Sequence, residues 1–359
     1  MKITDVRVIT CDLGPFKEPF WDSTVSEERR HRRFGLVQVL TDAGLTGECP
    51  VGASPAIVDS LKPVLVGQDP LLIEHHWRAM FATRHTTTGG DFMFALSRID
   101  IALWDLLGKA TGQPVWKLLG GDRQRVEAYA AGGYYGHGKG LRELAAEMER
   151  YLALGYRAVK MKVGWAGTTL AADAERVRVV RETIGPAIKL MVDANHAYTA
   201  AQAIRFGRMI ERYEVEWFEE PVPHTDLRGG AEVCAALDVP VATGEMETTR
   251  WGFRAMLAAR ALDICQADPV NCGGLTEWRK IAALATADHL PLAPHGLHYI
   301  GMHCVAAIPE ALTVETYPEV YAFPELIPPL TLTDGMITLP DAPGLGLEID
   351  RAALARFAR

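Results

Sequence analysis

Four acidic residues, Asp193, Glu219, Glu245 and Asp268, each close or directly follow a short apolar run in the second half of the chain, at steps of 26, 26 and 23 residues. A step of that length accommodates one strand, one helix and their turns, so the repeat predicts successive β/α units and a parallel sheet. The apolar run before this series ends in Lys160 and Lys162, and the run after it leads into His295. Charged side chains that recur at the ends of buried strands argue for a site rather than for surface solvation.

Extending the same reading, short apolar runs at 126–130, 157–162, 188–193, 215–219, 239–244, 262–267, 290–293 and 312–315 alternate with helical spacing at 141–154, 170–184 and 199–212, which predicts an α/β fold with a parallel barrel. The segment ahead of it reads differently. Strands are predicted over 2–13, 34–41 and 44–49, the last two joined at Asp42-Ala43-Gly44, followed by helices over 55–66, 70–81 and 92–109. This gives an α+β unit over residues 1–122, a barrel over 123–318, and a proline-rich tail over 319–359 that leaves the barrel and returns to the first unit. A chain of 359 residues suits that division, because a barrel takes about 200–250 residues.

Composition excludes several functions. Apolar residues make up 48% of the chain and charged residues 23%, with a net charge of −8, so there is no basic footprint for nucleic acid. No apolar run approaches the ~18 residues of a membrane span, and Met1–Leu13 alternates like a strand rather than like a secretion signal, so a cytoplasmic protein is expected. The six cysteines contain no C-x-x-C pair and are read as core filler in a reducing compartment.

Barrel enzymes build their sites from the C-terminal ends of the strands. Three carboxylates from adjacent strands, Asp193, Glu219 and Glu245, form an all-oxygen set suited to a hard divalent cation, with Mg²⁺ the expected one. Strand alternation puts Trp217 and Glu219 on one face and Phe218 and Glu220 on the other, and the 26-residue step favours Glu219 over Glu220 as the inward acid. By the same parity Asn195 shares the face of Asp193, and Lys160 that of Lys162. A substrate carboxylate beside a cation has its enediolate charge neutralised, which makes the proton on the adjacent carbon removable. Two bases are available for it. Lys162, near a cation and Lys160, is expected to have a lowered pKa. His295 lies across the barrel, with Asp268 one strand earlier placed to fix its tautomer. Glu315 on the last strand is expected to bond a substrate carboxylate oxygen if protonated.

The motifs K-x-K at 160–162, V-D-A-N at 192–195, E-E-P at 219–221, G-E at 244–245, A-D-P at 267–269, P-H-G at 294–296 and V-E at 314–315 together resemble the mandelate racemase subgroup of the enolase superfamily. The resemblance covers nearly the whole chain. It implies a modified (β/α)₇β barrel with an α+β capping domain built from both termini, and two capping loops, near residues 14–33 and 47–55, that select the substrate. It further implies Lys162 and the His295–Asp268 dyad as acid/bases, Asp193, Glu219 and Glu245 as Mg²⁺ ligands, and Lys160, Asn195 and Glu315 as contacts to the substrate carboxylate. Dehydration of an aldonate or aldarate to a 2-keto-3-deoxy acid is the leading expectation. Racemisation or epimerisation of a 2-hydroxy acid comes second and cycloisomerisation of a sugar-acid lactone third. A homo-oligomer, dimer or octamer, is implied as well.

Several residues carry competing readings. A binder of sugar acids without turnover would keep the carboxylates but has no use for Lys162, His295 and Asp268 together. His196, His298, Tyr299 and His303 stand near strand ends as pocket or core residues. The run Glu27-Glu28-Arg29-Arg30-His31-Arg32-Arg33 is either a solvated strand entrance or the source of an arginine that reads a second substrate carboxylate. Phe20 and Trp21 are either lid residues or packing between the domains.

Overall fold

A computed structural model describes residues 1–24, 29–86 and 90–359. The N-terminal part forms an antiparallel sheet of β1 (Ile3–Trp21), β2 (Arg29–Thr41) and β3 (Thr46–Cys49), in the order β3-β2-β1. Helices α1 (Pro55–Leu65), α2 (Ile73–Ala82), α3 (Gly90–Thr111) and the short α4 (Val115–Leu118) follow. The meander is the expected one, but β1 and β2 run much further than their alternating segments. Pairing continues through Asp12–Arg33, Pro15–His31 and Phe20–Arg29, with register shifts on either side of Pro15. Gly14, at φ +83°, and two prolines interrupt the alternation there, so the extension rests on backbone pairing that no side-chain pattern reveals. Residues 25–28, which include Glu27 and Glu28 of the basic run, lie outside the described residues.

The barrel is built from β4 (Arg125–Gly132), β6 (Ala158–Lys162), β7 (Lys189–Asp193), β8 (Val215–Glu219), β9 (Val241–Thr243), β10 (Ile264–Cys265) and β11 (Val314–Thr316), all parallel; β5 is a two-residue strand, Tyr135–Gly136, that pairs with the end of β1. The run expected as a strand over 290–293 is reduced to bridges at Leu292, which joins Cys265 on one side and Ala311 on the other. Since β11 pairs with β4, these bridges close the ring at eight staves. The intervening helices are α5 (Leu141–Ala153), α6 (Leu170–Ile184), α7 (Ala200–Ile210), α8 (Leu227–Ala236), α9 (Thr249–Ala259), α10 (Gly274–Ala287) and α11 (His298–Ala307), which completes a (β/α)₇β order. Local sequence sets their starts: Thr199 and Gln202 form a reciprocal capping box on α7, and the Asp226 carboxylate accepts from Gly229 N on α8.

Tyr129, Ala131, Ala158, Met191, Trp217, Ala242, Ile264 and Ala293 fill the barrel interior as a cluster of their own, separate from the core between staves and helices. Burying large and small side chains in alternation closes the bottom of the barrel and leaves only its C-terminal mouth for a site. The tail divides. Its strand β12 (Met336–Thr338) pairs with β4 of the barrel, rather than with the first unit, while Ile349 and, in its helix α12 (Arg351–Phe357), Leu354 pack on the capping sheet.

The capping helices grip the barrel through polar contacts at the start of α10. Asp100 accepts from Thr276 N at 2.9 Å, Ser97 accepts from Gly273 N at 2.9 Å, and Trp77 donates to Gly273 O at 2.7 Å. Gly274, at φ +81°, makes this possible, since a Cβ there would lie 2.3 Å from Asp100 Oδ2. Burial pushes the Asp100 carboxyl up to about 7, against the lowering effect of the Thr276 bonds, and its Oδ1 has no hydrogen-bond partner. A folded pKa above the unfolded value of about 3.9 means stability that is full below about pH 4 and is lost as pH rises through about 7. Asp100→Asn keeps the acceptor without the charge. It is expected to raise Tm by about 2–6 °C at pH 8 and to leave Tm unchanged at the acid end, as read by thermal melts across pH; an equal offset at both ends would show that the carboxyl does not titrate there.

Candidate active site

Lys162, Asp193 and Glu219 occupy one level of the sheet, paired in register across β6, β7 and β8. Glu245 follows β9, and one oxygen each from Asp193, Glu219 and Glu245 lies within 4.8 Å of the others. Lys160 Nζ, almost wholly buried, contacts Glu219, sits 2.7 Å from Glu315 Oε1 and 3.8 Å from Asp193 Oδ2, while Lys162 pairs with Asp193. Glu219 also accepts from Trp217 Nε1 at 2.9 Å and from Gln266 Nε2 at 2.7 Å. Across the mouth His295 Nδ1 lies 2.9 Å from Asp268 Oδ2, while Val270 N and Asn271 Nδ2 hold the Asp268 carboxylate. His295 Nε2 faces Glu245 Oε2 at 3.2 Å and Glu315 Oε2 at 3.5 Å. The nine residues expected to bind metal, move protons or contact the substrate carboxylate thus lie at one end of the barrel, and Asn195, whose buried Oδ1 has no hydrogen-bond partner, sits beside Asp193 through its backbone N.

Burial and neighbouring charges shift the acid/base groups of the site. Burial pushes the Lys162 ammonium down, but the Asp193 carboxylate outweighs it, so the group titrates above the ordinary lysine range rather than below it. The lowering foreseen from the sequence required a cation to offset Asp193. Burial pushes the Glu315 carboxyl up, yet Lys160 and His295 bring it down to about 2. Glu245 moves the other way, raised to about 7 by burial and by the Asp193 and Glu219 charges against the opposing pull of His295. His295, disfavoured as a cation by burial, is raised well above its usual value by Glu245, Glu315 and Asp268. A buried ring of oxygens that raises two of its own members, Glu219 and Glu245, with Glu245 Oε2 lacking a hydrogen bond, has the donor chemistry for a hard divalent cation.

Glu220 departs from strand alternation. With φ at +42° it turns off β8, is fully buried, and lies 3.0 Å from Nε2 of His196, a cavity-lining residue that it supports from behind. Above the ring lies a cavity of about 590 Å³ lined by Lys162, Asn195, Glu245, Asp268 and His295 and by both capping segments. Asp22, Thr24, Arg29 and Arg33 come from the first, and Pro50, Val51 and Gly52 from the second. Arg29 pairs with Asp22 at 3.4 Å and bonds the Tyr321 hydroxyl. Ser23 Oγ donates to Ala194 O at 2.7 Å, which docks the cap beside Asn195.

The remaining candidates separate. His196 lines the cavity, whereas His303 is a core residue held between Trp116 N and Leu345 O. His298 and Tyr299 line a smaller cavity behind Tyr317. Phe20 packs on Tyr134 with ring centroids 4.8 Å apart and Trp21 on His137 and Trp165, so both serve as packing between cap and barrel. Sequence reasoning missed Tyr134, Asn271, Tyr317 and Tyr321, which line the cavity. Of these only Tyr317 carried a signal, its spacing of two from Glu315.

A capped (β/α)₇β barrel with a carboxylate triad flanked by a lysine pair and a His-Asp dyad defines a narrow class of proteins. Residues 6–120 match the model of the mandelate racemase/muconate lactonizing enzyme N-terminal domain and residues 143–353 that of the enolase C-terminal domain-like family, so the chain belongs to the mandelate racemase/muconate lactonizing enzyme group of the enolase superfamily. It is 37% identical over 380 aligned positions, covering 99% of both chains, to the D-galactarolactone cycloisomerase of Agrobacterium fabrum. It is 35% identical to the arabinonate dehydratase of Saccharolobus solfataricus, over 84% of this chain and 82% of that one. A racemase from Streptomyces coelicolor solved with bound magnesium superposes with a TM-score of 0.90 at 34% identity, over 99% of this chain and 100% of that one.

Proposed function

We propose that the protein removes the proton α to the carboxylate of a sugar acid and expels the β-hydroxyl, giving a 2-keto-3-deoxy acid. The observation that carries this reading is the pair of acid/base groups, Lys162 and His295, that approach one carboxylate ring from the second and seventh staves within one cavity. Asp193, Glu219 and Glu245 would hold Mg²⁺, which supplies charge neutralisation for the enediolate. Lys160 balances Glu219 and Glu315 in the floor of the site and, with Asn195, is positioned for the oxygens of the substrate carboxylate. Lys162 takes the α-proton of one stereochemical series. His295 Nε2, its Nδ1 fixed by Asp268, gives a proton to the departing hydroxyl. The polar wall of Asp22, Thr24, Arg29 and Arg33 suits a polyhydroxylated substrate, and Arg33, unlike the paired Arg29, is available to a second carboxylate.

Cycloisomerisation of a sugar-acid lactone is the second reading, favoured by similarity along the whole chain to a D-galactarolactone cycloisomerase. There the ring carboxylate leaves in place of a hydroxyl. A screen of aldonates, aldarates and their lactones with Mg²⁺ in D₂O, read by mass spectrometry and NMR, tests both. In D₂O the enol takes up one solvent deuteron at the β-carbon as it ketonises, so dehydration is expected to give a product that has lost one water and cycloisomerisation an opened ring without that loss, each carrying one carbon-bound deuterium. Absence of both products and of α-deuterium from every compound that binds would leave a non-catalytic binder.

A further inference from the structure

Tyr317 places its hydroxyl beside the proton-donating nitrogen of His295. Tyr317 lies one residue beyond β11 and two beyond Glu315, so strand parity turns it to the same inward face. Its hydroxyl is 3.3 Å from His295 Nε2, the one hydrogen bond it makes among the described residues. Two carboxylates share that nitrogen, Glu245 Oε2 at 3.2 Å and Glu315 Oε2 at 3.5 Å. Glu245 belongs to the oxygen ring, and Glu315 is committed to Lys160 and to Gly296 N at 3.1 Å. Tyr317 is therefore the neutral hydroxyl at the reacting nitrogen: it accepts from a protonated Nε2 and keeps its own O–H to donate to an arriving oxygen. Its ring is buried and fixed edge-on against Tyr321, with centroids 4.9 Å apart, so the hydroxyl is held in position before any ligand arrives.

We propose that Tyr317 is a further catalytic residue, whose hydroxyl donates a hydrogen bond to the substrate's departing β-oxygen while His295 Nε2 protonates it. The inference rests on the dehydration reading above. The balance is simple. Lys162 accepts the α-proton, the electrons of the C–H bond form the enediolate and then the C–C double bond, the β C–O bond breaks, and the oxygen leaves as water with the proton from His295. Tyr317 keeps its own proton throughout, which an ordinary phenol does at neutral pH. An oxygen about 2.8 Å from Nε2 lies within reach of a hydroxyl 3.3 Å from the same nitrogen. A fixed donor aimed where negative charge develops lowers the barrier to that step and leaves the preceding deprotonation alone.

The test is a partition. Wild type and Tyr317→Phe are compared with Mg²⁺ in D₂O on galactarate, arabinonate and any other sugar acid that wild type dehydrates, measuring 2-keto acid formed against deuterium gained at the α-carbon of recovered substrate. In the variant the enediolate returns to substrate more often than it eliminates, so the ratio of exchange to elimination is expected to rise about 10–100-fold. Incompletely folded protein lowers both rates together and cannot produce that change, and Tyr317→Leu gives the same readout should the first variant not fold. An unchanged ratio overturns the proposal, as does a fall in exchange alone. Wild type that neither exchanges nor dehydrates any sugar acid overturns the functional reading first, a separate and recognisable failure.

Discussion

His295→Asn is expected to abolish 2-keto acid formation, by at least about 10³-fold in kcat, while deuterium exchange at the α-carbon survives for one stereochemical series of substrate. Asparagine keeps a polar side chain and roughly the volume, but it has no nitrogen that can give and regain a proton. Lys162 stands on the other side of the carboxylate ring and does not touch His295, so its own proton transfer is left in place. The two activities should therefore come apart in this variant and come apart the other way in Lys162→Ala. Normal turnover by His295→Asn would remove the leaving-group role from His295 altogether.

Asp268 adds a graded form of the same result. Its carboxylate accepts from Val270 N at 2.7 Å and from Asn271 Nδ2 at 3.1 Å, so it is locked before it meets His295 Nδ1. Truncation to alanine should lower kcat by orders of magnitude through the imidazole's tautomer and orientation. Substrate affinity should change little, because Asp268 bonds the base and not the carboxylate ring.

The sequence reveals what strand spacing determines and hides what departs from it. Asp193, Glu219, Glu245, Lys162, Asp268 and His295 are legible because each sits at a fixed offset from the end of a strand, and the strands recur at a nearly constant step. Glu220 is hidden because a single left-handed residue breaks the alternation on which its assignment depended. The long extension of β1 and β2 is hidden because backbone pairing past Pro15 needs no apolar pattern. The seventh stave, seen in sequence as a strand at 290–293, shrinks to Leu292 because its neighbours β10 and β11 are themselves two and three residues long and offer little to pair with. The ionisation of Lys162 and Glu315 is hidden for another reason. Each depends on which opposite charge is nearest, and Asp193 and Lys160 are brought there by neighbouring strands at distances that spacing alone does not give.

Removing divalent cations should have the second large effect, on activity and on stability together. The site gathers Asp193, Glu219 and Glu245 with one oxygen of each inside 4.8 Å, and adds Glu220 and Glu315 close by, against the cations of Lys160, Lys162 and His295. Like charges this close in a buried setting repel strongly, and the lysines and histidine relieve only part of it. A divalent cation at the three oxygens offsets the excess. Chelator-treated protein is thus expected to lose all turnover and to regain it with Mg²⁺, and saturating Mg²⁺ at about 100 times Kd should stabilise the fold by about 2.7 kcal/mol, seen as a rise in Tm of several degrees. Glu245→Gln separates these effects. It keeps the shape but removes one charged ligand and one source of repulsion, so metal-free Tm should rise slightly while Mg²⁺ affinity by calorimetry falls at least about tenfold. Full activity in protein shown by elemental analysis to carry no metal would end the assignment of the carboxylate ring, and a Tm indifferent to Mg²⁺ would mean that the repulsion is already balanced by Lys160 and Lys162 alone.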